Sequence, residues 1–176
     1  MIVEERKIEK IIESPKVRIV DIKPEQIKYA KKIALKIRYQ RRKKYNDKGG
    51  NSRKNSKKIS YIGFLGEVIF ADTFNLERPK LEEDKDKGID FILNNKTYQI
   101  KTTDKLDFGL TLFPNERFIS EYYVLINLNI KEKKAIINNQ FSRRQIQEEY
   151  EEVDFGYGKR LYIDKLTILK KGTYIN

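Results

Sequence analysis

The stretch DKGIDFILNNKTYQIKTT, residues 86–103, has two apolar runs on either side of an Asn-Asn pair, and polar residues recur within each run. Asn tolerates the positive φ angles that a type I′ turn requires at both central positions, so Asn94 and Asn95 predict a two-residue β-hairpin. The turn fixes the register of the two strands. The predicted pairs are Leu93 with Lys96, Ile92 with Thr97, Phe91 with Tyr98, Asp90 with Gln99, Ile89 with Ile100, and Gly88 with Lys101.

This register separates the hairpin into an apolar face and a polar face. Directly opposed residues have Cβ atoms about 5 Å apart, and a diagonal neighbour lies at about 7 Å. Asp90 and Gln99 are therefore expected side by side, with Lys101 within reach and open space over Gly88. A structural Asp–Lys pair is the plainer interpretation. The alternative is a cation site, because Mg²⁺ prefers oxygen ligands and is often held by carboxylates together with a substrate phosphate.

Length and composition indicate one soluble, globular domain over residues 1–176, with 39% hydrophobic and 36% charged residues. No apolar run approaches the roughly 20 residues of a membrane span. The N-terminal sequence MIVEERKIEK lacks the basic start and apolar run of a signal peptide, so a cytoplasmic protein without membrane contact is expected. Cys and His are absent, which excludes disulfides, Cys/His zinc sites, thiol nucleophiles and imidazole bases.

The net charge of +12 is concentrated in one segment. Residues 23–58 contain 15 of the 38 Lys and Arg residues but only two of the 26 acids, Glu25 and Asp47. A concentration of this kind favours binding to a polyanion, because each cation placed on a phosphate releases condensed counterions. A solvated helix face is the plainer alternative. DNA is the expected partner, and RNA is an alternative because it offers the same phosphates. The residues predicted to contact nucleic acid are Lys31, Lys32, Arg38, Arg41, Arg42, Lys43, Lys44, Arg53 and Lys54.

Periodicity predicts an α/β protein. VRIVDI (17–22) is a short strand, and a helix with an apolar face begins at Pro24 and ends near Lys44. A basic loop is predicted over residues 45–58, followed by a largely buried helix over 58–75. Later strands are FGLTLF, EYYVLINLNI, KAIINN and GKRLYIDKL, and QFSRRQIQEEYEEV is helical by the spacing of Ile146, Tyr150 and Val153. The order of elements suits a mixed sheet flanked by helices.

The buried helix carries two charges within residues 61–74, Glu67 and Asp72. An unpaired buried carboxylate costs several kcal/mol, so Glu67 needs a partner. The plainer interpretation is that Glu67 pairs with a Lys or lies on the solvent-exposed stripe of the helix. Together with this helix, the hairpin resembles the PD-(D/E)XK nuclease superfamily: Gly-Glu at 66–67, Gly-Ile-Asp at 88–90 and Gln-Ile-Lys at 99–101, the D-QxK variant found in Mrr-type enzymes. The resemblance covers roughly residues 58–103.

The resemblance implies a restriction-endonuclease-like fold, with a central mixed β-sheet flanked by α-helices. Residues 1–57 would form the basic N-terminal helix and loop, and residues 58–176 the catalytic core. It also implies hydrolysis of DNA phosphodiester bonds with Mg²⁺ as the cofactor and Mn²⁺ as a substitute for it.

Each motif position then has an implied role. Asp90 would be the principal metal ligand, Glu67 would complete the metal site, and the carbonyl of Ile100 would add a further ligand. Gln99 stands where the motif usually has an acid, so it keeps an oxygen ligand but removes one negative charge. Lys101 would orient the attacking water. The Pro often found before the Asp of the motif is absent.

Two other functions fit the same residues. One is a non-catalytic nucleic-acid-binding module on a nuclease-like fold. The other, within nucleases, is a Holliday-junction resolvase or another structure-selective enzyme, because phosphate contacts from a basic segment read neither bases nor branches. A homodimer would let two sites cut two strands, which is an expectation from symmetry.

Overall fold

A computed structural model describes residues 17–45, 53–80, 88–114, 118–156 and 158–175, without the side chains of 37–45, 53–57 and 59. Within these ranges the protein is a mixed α/β structure. Its strands are β1 (Arg18–Asp21), β2 (Phe91–Leu93), β3 (Lys96–Thr103), β4 (Leu110–Leu112), β5 (Tyr122–Asn129), β6 (Lys134–Ser142), β7 (Glu151–Asp154) and β8 (Lys159–Ile163). Its helices are α1 (Pro24–Tyr45), α2 (Arg53–Thr73), α3 (Arg143–Glu149) and α4 (Lys165–Lys171).

The larger sheet is mixed and has the strand order β1-β6-β5-β3-β2. Strands β3 and β5 are parallel, and the other neighbours are antiparallel. A parallel pair requires a crossover connection. Here the chain makes it through β4, which belongs to a second sheet of order β4-β8-β7.

Two hydrophobic clusters hold the layers together. Helices α1 and α2 cover one face of the larger sheet, where Leu65 and Phe70 pack against Ile100 and Val124. The second sheet covers the other face, where its inward-facing leucines meet residues of β5 such as Leu125. The predicted mixed sheet flanked by helices is therefore confirmed. On the other side the flanking layer is mostly a second sheet, with the short helices α3 and α4 beside it.

Most predicted elements are present, with two corrections. Helix α1 ends at Tyr45 and α2 begins at Arg53, so the basic loop predicted over 45–58 is wrong for residues 45 and 53–58. Its residues 46–52 lie outside the described part. A polar first turn can extend a helix whose later turns are buried, because tertiary packing supplies most helical stability.

The helix predicted for QFSRRQIQEEYEEV is correct only for α3. A capping box between Ser142 and Gln145 begins this helix, and Tyr150 ends it in extended conformation. Glu151 to Asp154 form β7 instead, because they pair with β8. Tyr150 and Val153 therefore do not continue the helical face.

Asp72, one of the two charges in the buried part of α2, has the partners that its position requires. It accepts two hydrogen bonds from Arg78, both of 2.6 Å, and a third of 2.8 Å from Gln26 of α1. Although burial opposes its ionisation, the hydrogen bonds from Arg78 and Gln26 lower the pKa of Asp72. The cluster ties α1 to the end of α2. Among the described helices, none is long and apolar enough to cross a membrane.

Candidate active site

The β2–β3 hairpin forms around the predicted turn. Asn94 and Asn95 have φ angles of 50° and 60°, the left-handed conformation that a type I′ turn requires. The three pairs nearest the turn are those predicted: Leu93 with Lys96, Ile92 with Thr97, and Phe91 with Tyr98.

The ladder of paired residues ends at Phe91. At Asp90, the residue before it, the side chain accepts a hydrogen bond from β3 that a backbone carbonyl would accept in a regular ladder. The Asp90 N–H still donates to the Tyr98 carbonyl, at 2.9 Å, but its Oδ2 atom accepts the N–H of Ile100, at 2.7 Å. The predicted backbone pairs of Asp90 with Gln99, Ile89 with Ile100 and Gly88 with Lys101 are therefore wrong.

Beyond Asp90 the chain leaves the sheet at Gly88, which has a φ of 73° and whose carbonyl accepts a 2.6 Å hydrogen bond from Ser120. Strand β3 continues without β2 from Gln99 onward. The carbonyl of Ile100 points to the same side as its N–H, as in any strand, and so it faces the edge where Asp90 lies. This open edge of β3 is the centre of the candidate site.

Gln99 and Lys101 project from the face of β3 that meets the second sheet. In the parallel ladder they lie beside Tyr123 and Leu125, which belong to the cluster between the two sheets. Lys101 is half-buried. The side-chain oxygen Oε1 of Gln99 is fully buried and has no hydrogen-bond partner within the described ranges. A buried acceptor of this kind calls for a donor or a cation.

Glu67 approaches β3 from the helical layer. A Cβ atom at Gly66 would lie 1.9 Å from Oγ1 of Thr102, so the backbone of α2 touches β3 at this point. Glu67 directly follows Gly66 in the sequence, and Lys101 directly precedes Thr102. Glu67 is half-buried, and Glu67, Asp90 and Lys101 each have an interaction partner.

The structure thus places Asp90, Gln99 and Lys101 at one stretch of β3, and it places Glu67 next to the residue of α2 that contacts Thr102. Gln99 and Lys101 lie on one face of the sheet, the helix that carries Glu67 covers the opposite face, and Asp90 lies at the edge. The contact residue Thr102 was missed in the sequence. The signal for it was Gly66, since a glycine inside a helix often marks a close approach.

The chemistry of these side chains fits a hard cation. Glu67 and Asp90 offer carboxylate oxygens, Gln99 its unpartnered amide oxygen and Ile100 its carbonyl, which are the ligand types that Mg²⁺ takes. Only two of these ligands are acids. Accordingly, the described residues contain no group of three His, Cys, Asp or Glu that could hold a metal ion.

An ion pair joins the basic segment, residues 23–58, to the end of β3. Lys58 of α2 lies 2.6 Å from Asp104, which directly follows β3. Lys31 and Lys32 are exposed on α1. The other predicted nucleic-acid contacts lie on α1 (Arg38, Arg41, Arg42, Lys43, Lys44) and on α2 (Arg53, Lys54), with side chains outside the described part.

The loop after β3 is fixed by buried polar residues. Lys165 of α4 is only 6% exposed, and its ammonium donates to the carbonyl of Leu106. Burial lowers the pKa of Lys165 to about 8, although the nearby carboxylate of Asp107 opposes this effect. Asn127 of β5 donates to the carbonyls of Lys105 and Phe108, at 2.8 and 3.0 Å. These hydrogen bonds fix the chain directly after the end of β3.

Comparison of the chain with protein-family models, curated proteins and solved structures found no match. The resemblance to PD-(D/E)XK nucleases is therefore a prediction from the motif residues alone.

Proposed function

We propose that the protein is a Mg²⁺-dependent DNA endonuclease that hydrolyses phosphodiester bonds, with a restriction-endonuclease-like core formed by α2, the β2–β3 hairpin and the parallel strand β5. One observation carries the proposal. The side chain of Asp90 is hydrogen-bonded at Ile100, directly between Lys101 and Gln99, whose buried amide oxygen has no hydrogen-bond partner in the described part.

Each residue of the site has a distinct chemical task. Glu67, Asp90, Gln99 and the Ile100 carbonyl would hold the metal ion. When bound, the ion supplies a Lewis acid for the phosphate and a more acidic water. Lys101, the cation of the site, orients the attacking water and stabilises the charge that develops on the phosphate oxygens. The hydrogen bond from Ile100 fixes one carboxylate oxygen of Asp90, so this side chain is oriented before substrate arrives.

Binding of DNA would come from the basic segment. Residues 23–58 supply the excess positive charge, and the Lys58–Asp104 ion pair anchors the start of α2 at the end of β3. An exposed pair of this kind contributes about 0–1 kcal/mol, so its role is to position the segment. Phosphate contacts of several Lys and Arg residues give an affinity that falls steeply with salt.

The proposal is tested by incubating the protein with linear, supercoiled, single-stranded and four-way-junction DNA, in Mg²⁺ or in chelator. Cleavage that requires Mg²⁺ is the expected result. Faster cleavage of the junction than of linear duplex would assign a structure-selective enzyme. No cleavage of any form in Mg²⁺ or Mn²⁺ contradicts a nuclease.

A second candidate is a nucleic-acid-binding module without catalysis. The observation in its favour is that the candidate ligands include only two acids and a neutral Gln99. This function predicts salt-sensitive DNA binding that is the same in Mg²⁺ and in chelator, together with no cleavage.

A further inference from the structure

The second sheet has an outer face that differs from an ordinary solvent-facing surface. Its inward residues, such as Leu110 and Leu161, pack in the cluster between the sheets. The register places Thr111, Tyr162 and Glu151 in one row on the outer face. The outer face of an antiparallel sheet is usually polar. Here it also carries aromatic rings.

Three half-buried rings gather over this outer face. The ring centroid of Phe108 lies 5.3 Å from that of Phe155 and 5.5 Å from that of Tyr162, and the last two lie 5.4 Å apart. A fourth ring, Phe113, follows β4 directly and is 55% exposed. We call these four residues the aromatic platform. Aromatic pairs at such distances stabilise each other, and the exposed part of a ring can stack on a base.

Two cations lie against the aromatic platform. The ammonium of Lys105 is 5.0 Å from the ring centroid of Phe108, and the guanidinium carbon of Arg160 is 4.4 Å from that of Phe113. Both distances are in the cation–π range. Rings flanked by cations provide the two contacts that single-stranded nucleic acid uses, stacking of bases and neutralisation of phosphates.

We propose that the aromatic platform binds single-stranded nucleic acid, with bases stacked on the rings and with Lys105 and Arg160 on phosphates. The bases of a duplex are stacked on one another, so their faces are not open to these rings. A protein partner with an apolar surface would offer no anionic groups to these two cations. Glu151 beside Tyr162 repels phosphates, and so the strand would cross on the side of β4 and β8.

This site is distinct from the open edge of β3, and its binding does not depend on cleavage. The two are connected in the chain, because Lys105 follows the end of β3 by two residues. A strand held on the aromatic platform would therefore pass near the end of the strand that carries Lys101.

The test measures fluorescence anisotropy of labelled oligothymidine, oligouridine and a duplex of equal length, all in chelator. Phe113→Ala and Phe155→Ala are each expected to weaken single-strand binding about tenfold, the range of one base–aromatic stack, and to leave duplex binding nearly unchanged. Arg160→Gln should reduce the salt slope of single-strand binding by about 0.7, the contribution of one phosphate contact. The two oligomers decide whether DNA or RNA binds more tightly.

Tyr174→Ala is the matched control, since Tyr174 is 42% exposed and its ring lies 5.5 Å from the guanidinium of Arg18, away from the second sheet. It should bind both oligomers as the wild type does. Wild-type affinity in Phe113→Ala and Phe155→Ala, or an equal loss in Tyr174→Ala, overturns the proposal. Phe113 is already exposed, so its variant keeps the test valid if Phe155→Ala does not fold. A protein that binds through the aromatic platform but cleaves nothing refutes the nuclease and leaves this inference standing.

Discussion

Gly66→Ala tests the close contact between α2 and β3 next to Glu67. The new Cβ would lie 1.9 Å from Oγ1, 2.7 Å from Cγ2 and 2.8 Å from Cβ of Thr102. All three distances are too short for non-bonded atoms, and so helix α2 or strand β3 has to move.

The net effect on stability follows from two opposing terms. Overpacking of a core contact costs about 1–3 kcal/mol, and Ala in place of Gly inside a helix gains about 1 kcal/mol. We therefore expect Gly66→Ala to lower the free energy of unfolding by up to about 2 kcal/mol. Gly63 lies one turn earlier in α2, with nothing within 4 Å of its would-be Cβ. Gly63→Ala should gain the helix propensity of Ala without any steric clash, and so it should stabilise the protein by up to about 1 kcal/mol.

Urea denaturation of both variants measures this difference, and plasmid cleavage shows its consequence for the site. A shift of about 1 Å at Glu67 can cost 10²-fold in rate, so Gly66→Ala should cut DNA far more slowly than Gly63→Ala. Thr102→Ala removes two of the three clashing atoms and should restore part of the stability of Gly66→Ala. Equal stability of Gly66→Ala and Gly63→Ala would refute a close helix–strand contact.

Three further outcomes are expected. Because the folded protein releases the Lys165 proton near pH 8 and the unfolded chain near 10.5, this residue makes the wild type more stable as pH rises between those values, by up to about 3 kcal/mol. Lys165→Met should be more stable than the wild type at pH 7 and lose that advantage by pH 10 in urea unfolding; a constant difference contradicts this. The lowered pKa of Asp72 stabilises the fold above its ordinary value of 3.8, and this contribution is lost as pH falls below it. Asp72→Asn should therefore lose less stability than the wild type on acidification, and an equal loss would count against the ion pair with Arg78. Gln99→Glu restores the acid of the motif, and it should keep activity and lower the Mg²⁺ concentration needed for half-maximal cleavage; complete loss would assign the amide another role.

The hairpin shows how far local sequence determines structure. Asn94 and Asn95 set the turn, and the turn alone set the three pairs that the structure contains. The pairing ends at Phe91 because the carboxylate of the next residue outward, Asp90, accepts the N–H of Ile100. No spacing rule shows that hydrogen bond, since it depends on where the preceding chain leaves the sheet.

Elements that depend on distant partners were less predictable. The capping box of Ser142 and Gln145 is a local signal for the start of α3, but β7 forms only because Lys159–Ile163 pairs with it. Helical spacing therefore predicted a helix that was too long. Buried Lys165 has no signal in the sequence, because its burial comes from contact with the loop after β3.

The central claim is that Asp90 and Lys101 catalyse DNA hydrolysis. The most direct measurement is the rate of nicking of supercoiled plasmid in Mg²⁺ by the wild type, Asp90→Ala, Lys101→Ala and Lys96→Ala, with DNA binding measured in parallel. Lys96 is the matched control, an exposed lysine of the same strand at the turn, whose ammonium lies over the ring of Tyr122. The expected result is nicking by the wild type and Lys96→Ala, and no nicking by the other two variants while they still bind DNA. Nicking by both Asp90→Ala and Lys101→Ala at the wild-type rate would contradict the site.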